Sequence, residues 1–107
     1  MKKVLILGCK GMAGHVIKTY LESLEIYDIW GLARDVKHEK NIINLDVSNT
    51  KELEHIINKG SFEVVINCIG LLNNTAENNP ELAVWFNSYL PHLLAAFGKK
   101  YNFKLIH

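Results

Sequence analysis

The chain predicts an α/β fold, a doubly wound parallel sheet of five strands in the order 3-2-1-4-5. Three observations carry that prediction. Short apolar or β-branched runs alternate with helical stretches, the runs are almost continuously apolar, and three glycines spaced three apart follow the first run. The 107 residues, 49% of them hydrophobic, supply one core and leave no room for a second full domain.

Val4 to Leu7 are read as the first strand, Gly11 to about Leu24 as the first helix and Ile29 to Leu32 as the second strand. Ile42 to Leu45 read as the third. The intervening segment, Ala33 to Asn41, is too short for a full crossover helix and predicts a loop or a single turn. A helix from Thr50 to about Asn58 opens on Asn49, with Glu52 three residues on to complete a capping box, and buries Leu53, Ile56 and Ile57. Val64 to Ile66 form a fourth, two-face-buried strand. Asn79-Pro80 opens a long helix that runs to about Lys99, and Phe103 to Ile106 close the series. Right-handed crossovers give the 3-2-1-4-5 order, so Gly8 to Gly14 and Asn67 to Gly70 should border one crevice at the switch between strands one and four.

The formal charge is +1 and the lysines are scattered, which leaves no nucleic-acid or membrane footprint. No apolar run is long enough to span a bilayer, and MKK followed by four apolar residues is not a signal peptide, so a cytoplasmic protein is expected. Cys9 and Cys68 form no C-x-x-C pair and read as two small buried hydrophobes in a reduced compartment. Asn73 to Thr75 is then a chance glycosylation triplet.

Gly8, Gly11 and Gly14 stand where a strand hands over to a helix, the context that makes a dinucleotide-binding turn credible. Gly8 would allow the tight turn, Gly11 the approach of a pyrophosphate to backbone N–H groups, and Gly14 close helix–strand packing. Arg34, the sole arginine, falls 20 residues past the last glycine, at the end of strand two where an adenosine ribose should lie. A guanidinium there suits the 2′-phosphate of NADP better than the ribose hydroxyl of NAD, and Lys10 would add a second charge. A solvated surface arginine is the plainer alternative.

With GCKGMAG in the first turn, the chain resembles the extended short-chain dehydrogenases/reductases, and within them the dTDP-4-dehydrorhamnose reductase group and related nucleotide-sugar reductases and epimerases. LDVSN after strand three, NCIG after strand four and WFNSYLPHLLAAFGKKYNFKLIH in the last helix and strand extend the resemblance over nearly the whole chain. It implies a Rossmann-like domain that holds NADP, with NAD as the alternative. Gly8, Lys10, Gly11, Met12, Gly14, Arg34, Asp46, Val47, Asn67, Cys68, Ile69 and Gly70 would contact the cofactor, Asp46 at its adenine and the NCIG turn along its ribose and nicotinamide. Asn87 falls on the family's helix asparagine. Pro91 has no N–H to donate to the Asn87 carbonyl, so either a water held there supports a proton relay or the helix simply kinks.

The family's Tyr-x-x-x-Lys pair, which exchanges a proton with the sugar oxygen beside the hydride-carrying nicotinamide, does not occur. The fourth residues after Tyr20, Tyr27, Tyr89 and Tyr101 are Leu24, Gly31, Leu93 and Leu105. The expectation is therefore the cofactor-holding N-terminal portion of a nucleotide-sugar oxidoreductase, inactive by itself. The five histidines show no metal-ligand spacing. Trp85, Phe86, Tyr89, Leu90, Leu93, Leu94 and Phe97 are apolar around more than one helix face, which suggests a homodimer through the 80–99 helix or burial under further chain. The alternatives in other classes are a noncatalytic NAD(P)-binding module or redox sensor, and a flavodoxin-like or receiver-type protein.

Overall fold

The structure is a computed structural model that describes residues 1–70 and 78–107. The Asn73 to Thr75 triplet lies outside the described residues. Five parallel strands pair in the order β3-β2-β1-β4-β5, as the alternation predicts. They are β1 (Lys2–Leu7), β2 (Tyr27–Ala33), β3 (Ile42–Asn44), β4 (Val64–Asn67) and β5 (Lys104–Ile106). Helix α1 (Met12–Ser23) covers one face, and α2 (Thr50–Gly60) with the long helix after Asn79 covers the other. The Ala33–Asn41 segment contains no helix.

β1 is the middle strand, and its side chains alternate between two cores. Leu5 and Leu7 face a cluster with Leu53, Ile57, Leu90, Leu94 and Phe97, while Val4 and Ile6 face one with Cys9, Ile29 and Ile66. None of these four β1 residues is more than 3% exposed, which is why the run reads as uninterrupted hydrophobicity. Each such burial contributes about 1.5–3 kcal/mol against conformational entropy. Leu7 pairs with Leu32 on one side and Asn67 on the other, so β1, β2 and β4 end at one level and their exit turns share one rim.

Two caps differ from the sequence reading. The Asn49 side chain accepts the Glu52 N–H at 3.3 Å, but the Asn49 N–H donates to the Asp46 carbonyl at 3.0 Å, so the reciprocal half of the box has no donor left to bind. Asn79 precedes Pro80 as expected, yet its side chain does not close the first turn. The long helix is also not uniform. It begins as α3 (Pro80–Val84), passes through a π turn at Trp85–Tyr89 and continues as α4 (Leu90–Tyr101). The Leu90 N–H donates five residues back to the Trp85 carbonyl. Pro91 is the cause to hand: without an N–H it cannot keep the four-residue ladder to Asn87, and the wider turn takes up the mismatch just before it.

The β1–α1 turn is the tightest junction. A Cβ on Gly14 would stand 2.1 Å from the Gly8 carbonyl oxygen and 2.8 Å from its carbon, a clash with backbone rather than with a movable side chain. Gly8 has φ +76°, and a Cβ there would lie 2.9 Å from Ile69 Cγ1. Gly14→Ala should therefore destabilise the fold by about 3 kcal/mol, the upper end of ordinary overpacking costs, measured by urea denaturation. A loss below about 0.5 kcal/mol would show that α1 is not seated on the turn in this way.

Candidate cofactor cleft

The exit turns of β1, β2, β3 and β4 enclose a cleft of about 330 Å³, within the roughly 300–1,000 Å³ of small-molecule sites. It opens at the C-terminal ends of the strands, on both sides of the switch between β1 and β4. Gly8, Lys10 and Gly11 come from the first turn, and Leu32, Ala33 and Arg34 from the end of β2. Leu45, Asp46 and Val47 follow β3, Ile69 and Gly70 follow β4, and Phe86 reaches in from the π turn.

The glycine turn is held from both neighbours. The Gly8 and Cys9 N–H groups both donate to the Leu32 carbonyl, at 2.8 and 3.3 Å, and the Cys68 N–H donates to the Leu7 carbonyl at 3.0 Å. Gly11 is the N-cap of α1, in ordinary extended backbone with φ −73°, and a Cβ there would touch only the Gly8 oxygen at 3.4 Å. Neither conformation nor the protein's own packing requires a glycine at this exposed place. A side chain would instead project from the turn that lines the cleft, beside helix N–H groups that no side chain caps, in a first turn that holds no acidic residue. That bare, positively polarised helix start suits a diphosphate.

Of the remaining residues singled out in the sequence, Gly14 is buried behind the turn and seats the helix, while Met12 is 90% exposed and does not line the cleft. Asn67 is buried, and its Oδ1 accepts the Ile69 N–H at 3.1 Å, which shapes the Asn67–Gly70 turn from behind. Cys68 packs with Cys9 in the α1-side core. Burial raises both thiols, Cys9 despite the opposing charges of Lys18 and Lys10, so neither is a poised nucleophile. Asn87 is exposed, and a Cβ on Gly70 would stand 3.5 Å from its Oδ1, so the helix asparagine and the NCIG turn are neighbours.

Two charged residues of the cleft wall, Lys10 and Asp46, are bonded to groups just outside it. Lys10 Nζ bonds both oxygens of Glu39 at 2.8 and 3.0 Å, which raises the lysine and lowers the carboxyl from their usual values. The second charge expected from Lys10 is thus already matched by a residue that sequence reading did not single out. Asp46 Oδ1 accepts the Ser48 N–H at 3.0 Å and the Ser48 hydroxyl at 2.8 Å. These bonds, with a smaller effect of Arg34, hold the carboxyl below its ordinary range. Asp35, next to Arg34, adopts φ +54° and is not on the cleft wall.

Leu32, Ala33, Leu45 and Phe86 were not singled out as site residues. The first three are strand ends whose role depends on register, and Phe86 read as one of several helix aromatics. None of the four tyrosines, all among the described residues, lines the cleft. Tyr101 donates instead to Glu54 Oε2 at 2.5 Å, on the α2 side.

The model of the NAD dependent epimerase/dehydratase family matches residues 4–107. The chain belongs to that family. A comparison with curated proteins finds no match. Among solved structures, a hypothetical dTDP-4-dehydrorhamnose reductase from Sulfolobus tokodaii superposes with a TM-score of 0.84 at 22% identity, over all of this chain and 38% of the other. A dTDP-4-dehydrorhamnose reductase from Bacillus anthracis, solved in complex with NADP, gives 0.78 at 21% over 98% and 35%. A monomeric L-threonine 3-dehydrogenase of metagenomic origin gives 0.80 at 28% over 95% and 34%. The chain thus spans little more than a third of the length of these enzymes, and the family's description names a nicotinamide cofactor.

The Asp46 carboxyl carries a pH signature. Its native pKa lies below the unfolded value, so its contribution is complete above the ordinary aspartate range and is lost as pH falls through the depressed native value. In Ser48→Ala the backbone N–H bond remains and the hydroxyl bond goes. The Asp46 midpoint, followed by carboxyl NMR, should rise part of the way toward about 3.9. An unchanged midpoint would show that the hydroxyl does not hold the carboxylate.

Proposed function

We propose that this chain is the NADP(H)-holding portion of a cytoplasmic oxidoreductase that acts on a nucleotide-sugar, reducing a 4-keto sugar such as dTDP-4-dehydrorhamnose for polysaccharide precursor synthesis. The observation that carries the cofactor choice is Arg34 on the cleft wall at the exit of β2. Its planar guanidinium matches a phosphate monoester, whereas the neighbouring Asp35 does not line the cleft. The similarity to two dTDP-4-dehydrorhamnose reductases, one of them holding NADP, supports the substrate class.

In this reading the α1 start at Gly11 and Met12 binds the diphosphate through backbone N–H groups, with Gly8 and Gly14 keeping the turn in place. Asp46 and Val47 take the adenine. Ile69 and Gly70 border the ribose and nicotinamide side, braced by Asn67 and Cys68, and Phe86 excludes water from that end. The bound nicotinamide supplies hydride exchange. With no Tyr-x-x-x-Lys pair in these 107 residues and no tyrosine on the cleft wall, this chain by itself binds cofactor without turning over substrate. A homodimer would use the exposed Leu82, Val84 and Tyr89 of the long helix. A second reading, a portion of an amino-acid dehydrogenase, is favoured by the 28% identity to the L-threonine 3-dehydrogenase and shares the cleft.

Calorimetric titration with NADPH, NADH and FMN tests the proposal. NADPH should bind most tightly and FMN not at all. Arg34→Ala should weaken NADPH by about 1.5–3 kcal/mol, roughly ten- to hundredfold, and NADH far less. Equal losses for the two dinucleotides would remove the phosphate role of Arg34, and FMN binding would overturn the family's cofactor for this chain.

A further inference from the structure

The Lys10–Glu39 pair joins the glycine turn to the β2–β3 segment, 29 residues apart in sequence. Lys10 belongs to the glycine turn and lines the cleft, whereas Glu39 lies in the β2–β3 segment that begins with Arg34. The Lys10 ammonium therefore sits toward the Arg34 loop rather than over the α1 N-terminus. That loop is firmly anchored at its far end. The Asn41 side chain donates to the Ile29 carbonyl at 3.3 Å, the Asn41 carbonyl accepts the Gly31 N–H at 2.9 Å, and the Ile42 N–H donates to the Glu39 carbonyl at 3.2 Å. The two charged side chains are 45% and 46% exposed, so water and a competing anion can reach both.

We propose that Glu39 is a positioning residue for dinucleotide choice: it parks the Lys10 ammonium beside the Arg34 loop and gives it up to a 2′-phosphate. The inference rests on the proposed NADP(H) reading of the cleft. The exchange swaps one carboxylate for one phosphate on the same ammonium, with no covalent change. An exposed ion pair is weak enough to be displaced, at a cost set by the pair that is broken. A dianionic phosphate between Lys10 and Arg34 meets two cations, and Glu39 then faces it as a like charge. NADH brings no anion to that place and leaves the pair closed. Glu39 thereby lowers affinity for NADPH while leaving NADH unchanged.

Titration of the same 107-residue chain carrying Glu39→Gln, Lys10→Met or both tests this, with thermal melts as a check on folding. Glu39→Gln should tighten NADPH by about two- to fivefold, the span of an exposed ion pair, and change NADH by less than that. Lys10→Met should weaken NADPH, and in the double variant the gain from Glu39→Gln should shrink markedly. Glu39→Asp, which keeps the charge, should behave like the unaltered chain. The inference is overturned if Glu39→Gln weakens NADPH, leaves it unchanged, tightens both dinucleotides alike, or acts equally without Lys10. Arg34→Ala separates the two claims. If it selectively weakens NADPH while Glu39→Gln does nothing, the phosphate site stands and the role of Glu39 falls; if NADPH does not bind at all, the cofactor reading itself has failed.

Discussion

The approach of α1 to the Gly8 carbonyl governs the rest of the molecule. With a Cβ on Gly14 placed 2.1 Å from that oxygen, the helix can seat there only because residue 14 has no side chain. The seat fixes where α1 starts, and the start fixes where its first-turn N–H groups stand. Gly8 and Cys9 are meanwhile drawn to Leu32, and Cys68 to Leu7, so the turn is tied to both neighbouring strands. Even β2 makes room: a Cβ on Gly31 would lie 2.6 Å from Cys9 Sγ. The cleft is thus a product of backbone packing at the middle of the sheet, and its walls are strand ends that cannot shift independently.

On that rigid floor the electrostatics are local. The net charge of the chain is small, so long-range attraction of an anion is weak and recognition depends on groups within a few ångströms. The helix start, Arg34 and Lys10 provide positive potential, while Glu39 and Asp46 are held ionised by named partners. A dinucleotide carries negative charge at the diphosphate and, in NADP, again at the ribose. The proposed NADP(H) reading assigns the helix start to the first demand and Arg34 with Lys10 to the second. Tyr101, Lys100 and Glu54 form a separate bonded group between the α2 and α4 surfaces, away from the cleft, and serve to tie those helices together.

Much of this was legible because parallel α/β sheets write themselves in short, local signals. The five strands, their order and the shared rim of Gly8 to Gly14 and Asn67 to Gly70 follow from apolar runs, helix lengths and crossover handedness. What was not legible depends on pairs distant in sequence. Glu39 binds Lys10 only because β2 returns the chain to the β1 turn, and Gly31 opposes Cys9 only through strand register. The π turn needed Pro91 and its preceding ladder considered together. The sequence placed the disturbance at the Asn87 carbonyl, and the structure resolves it as a wider turn over Trp85–Tyr89 that carries Phe86 onto the cleft. The capping box failed halfway for a similar reason, since the Asn49 N–H was already bound to Asp46.

The central claim is that the described cleft, and no other surface, receives the dinucleotide across the β1–β4 switch. Amide-resolved NMR of the chain during NADPH addition tests it most directly. The account predicts that the largest shifts fall on Gly11 to Gly14, on Arg34, on Asp46 and Val47, and on Ile69 and Gly70, and that they saturate together. Saturable shifts centred instead on the groove of Lys3, Trp30, His55 and Phe62 at the opposite strand ends, with the glycine turn unmoved, would contradict it.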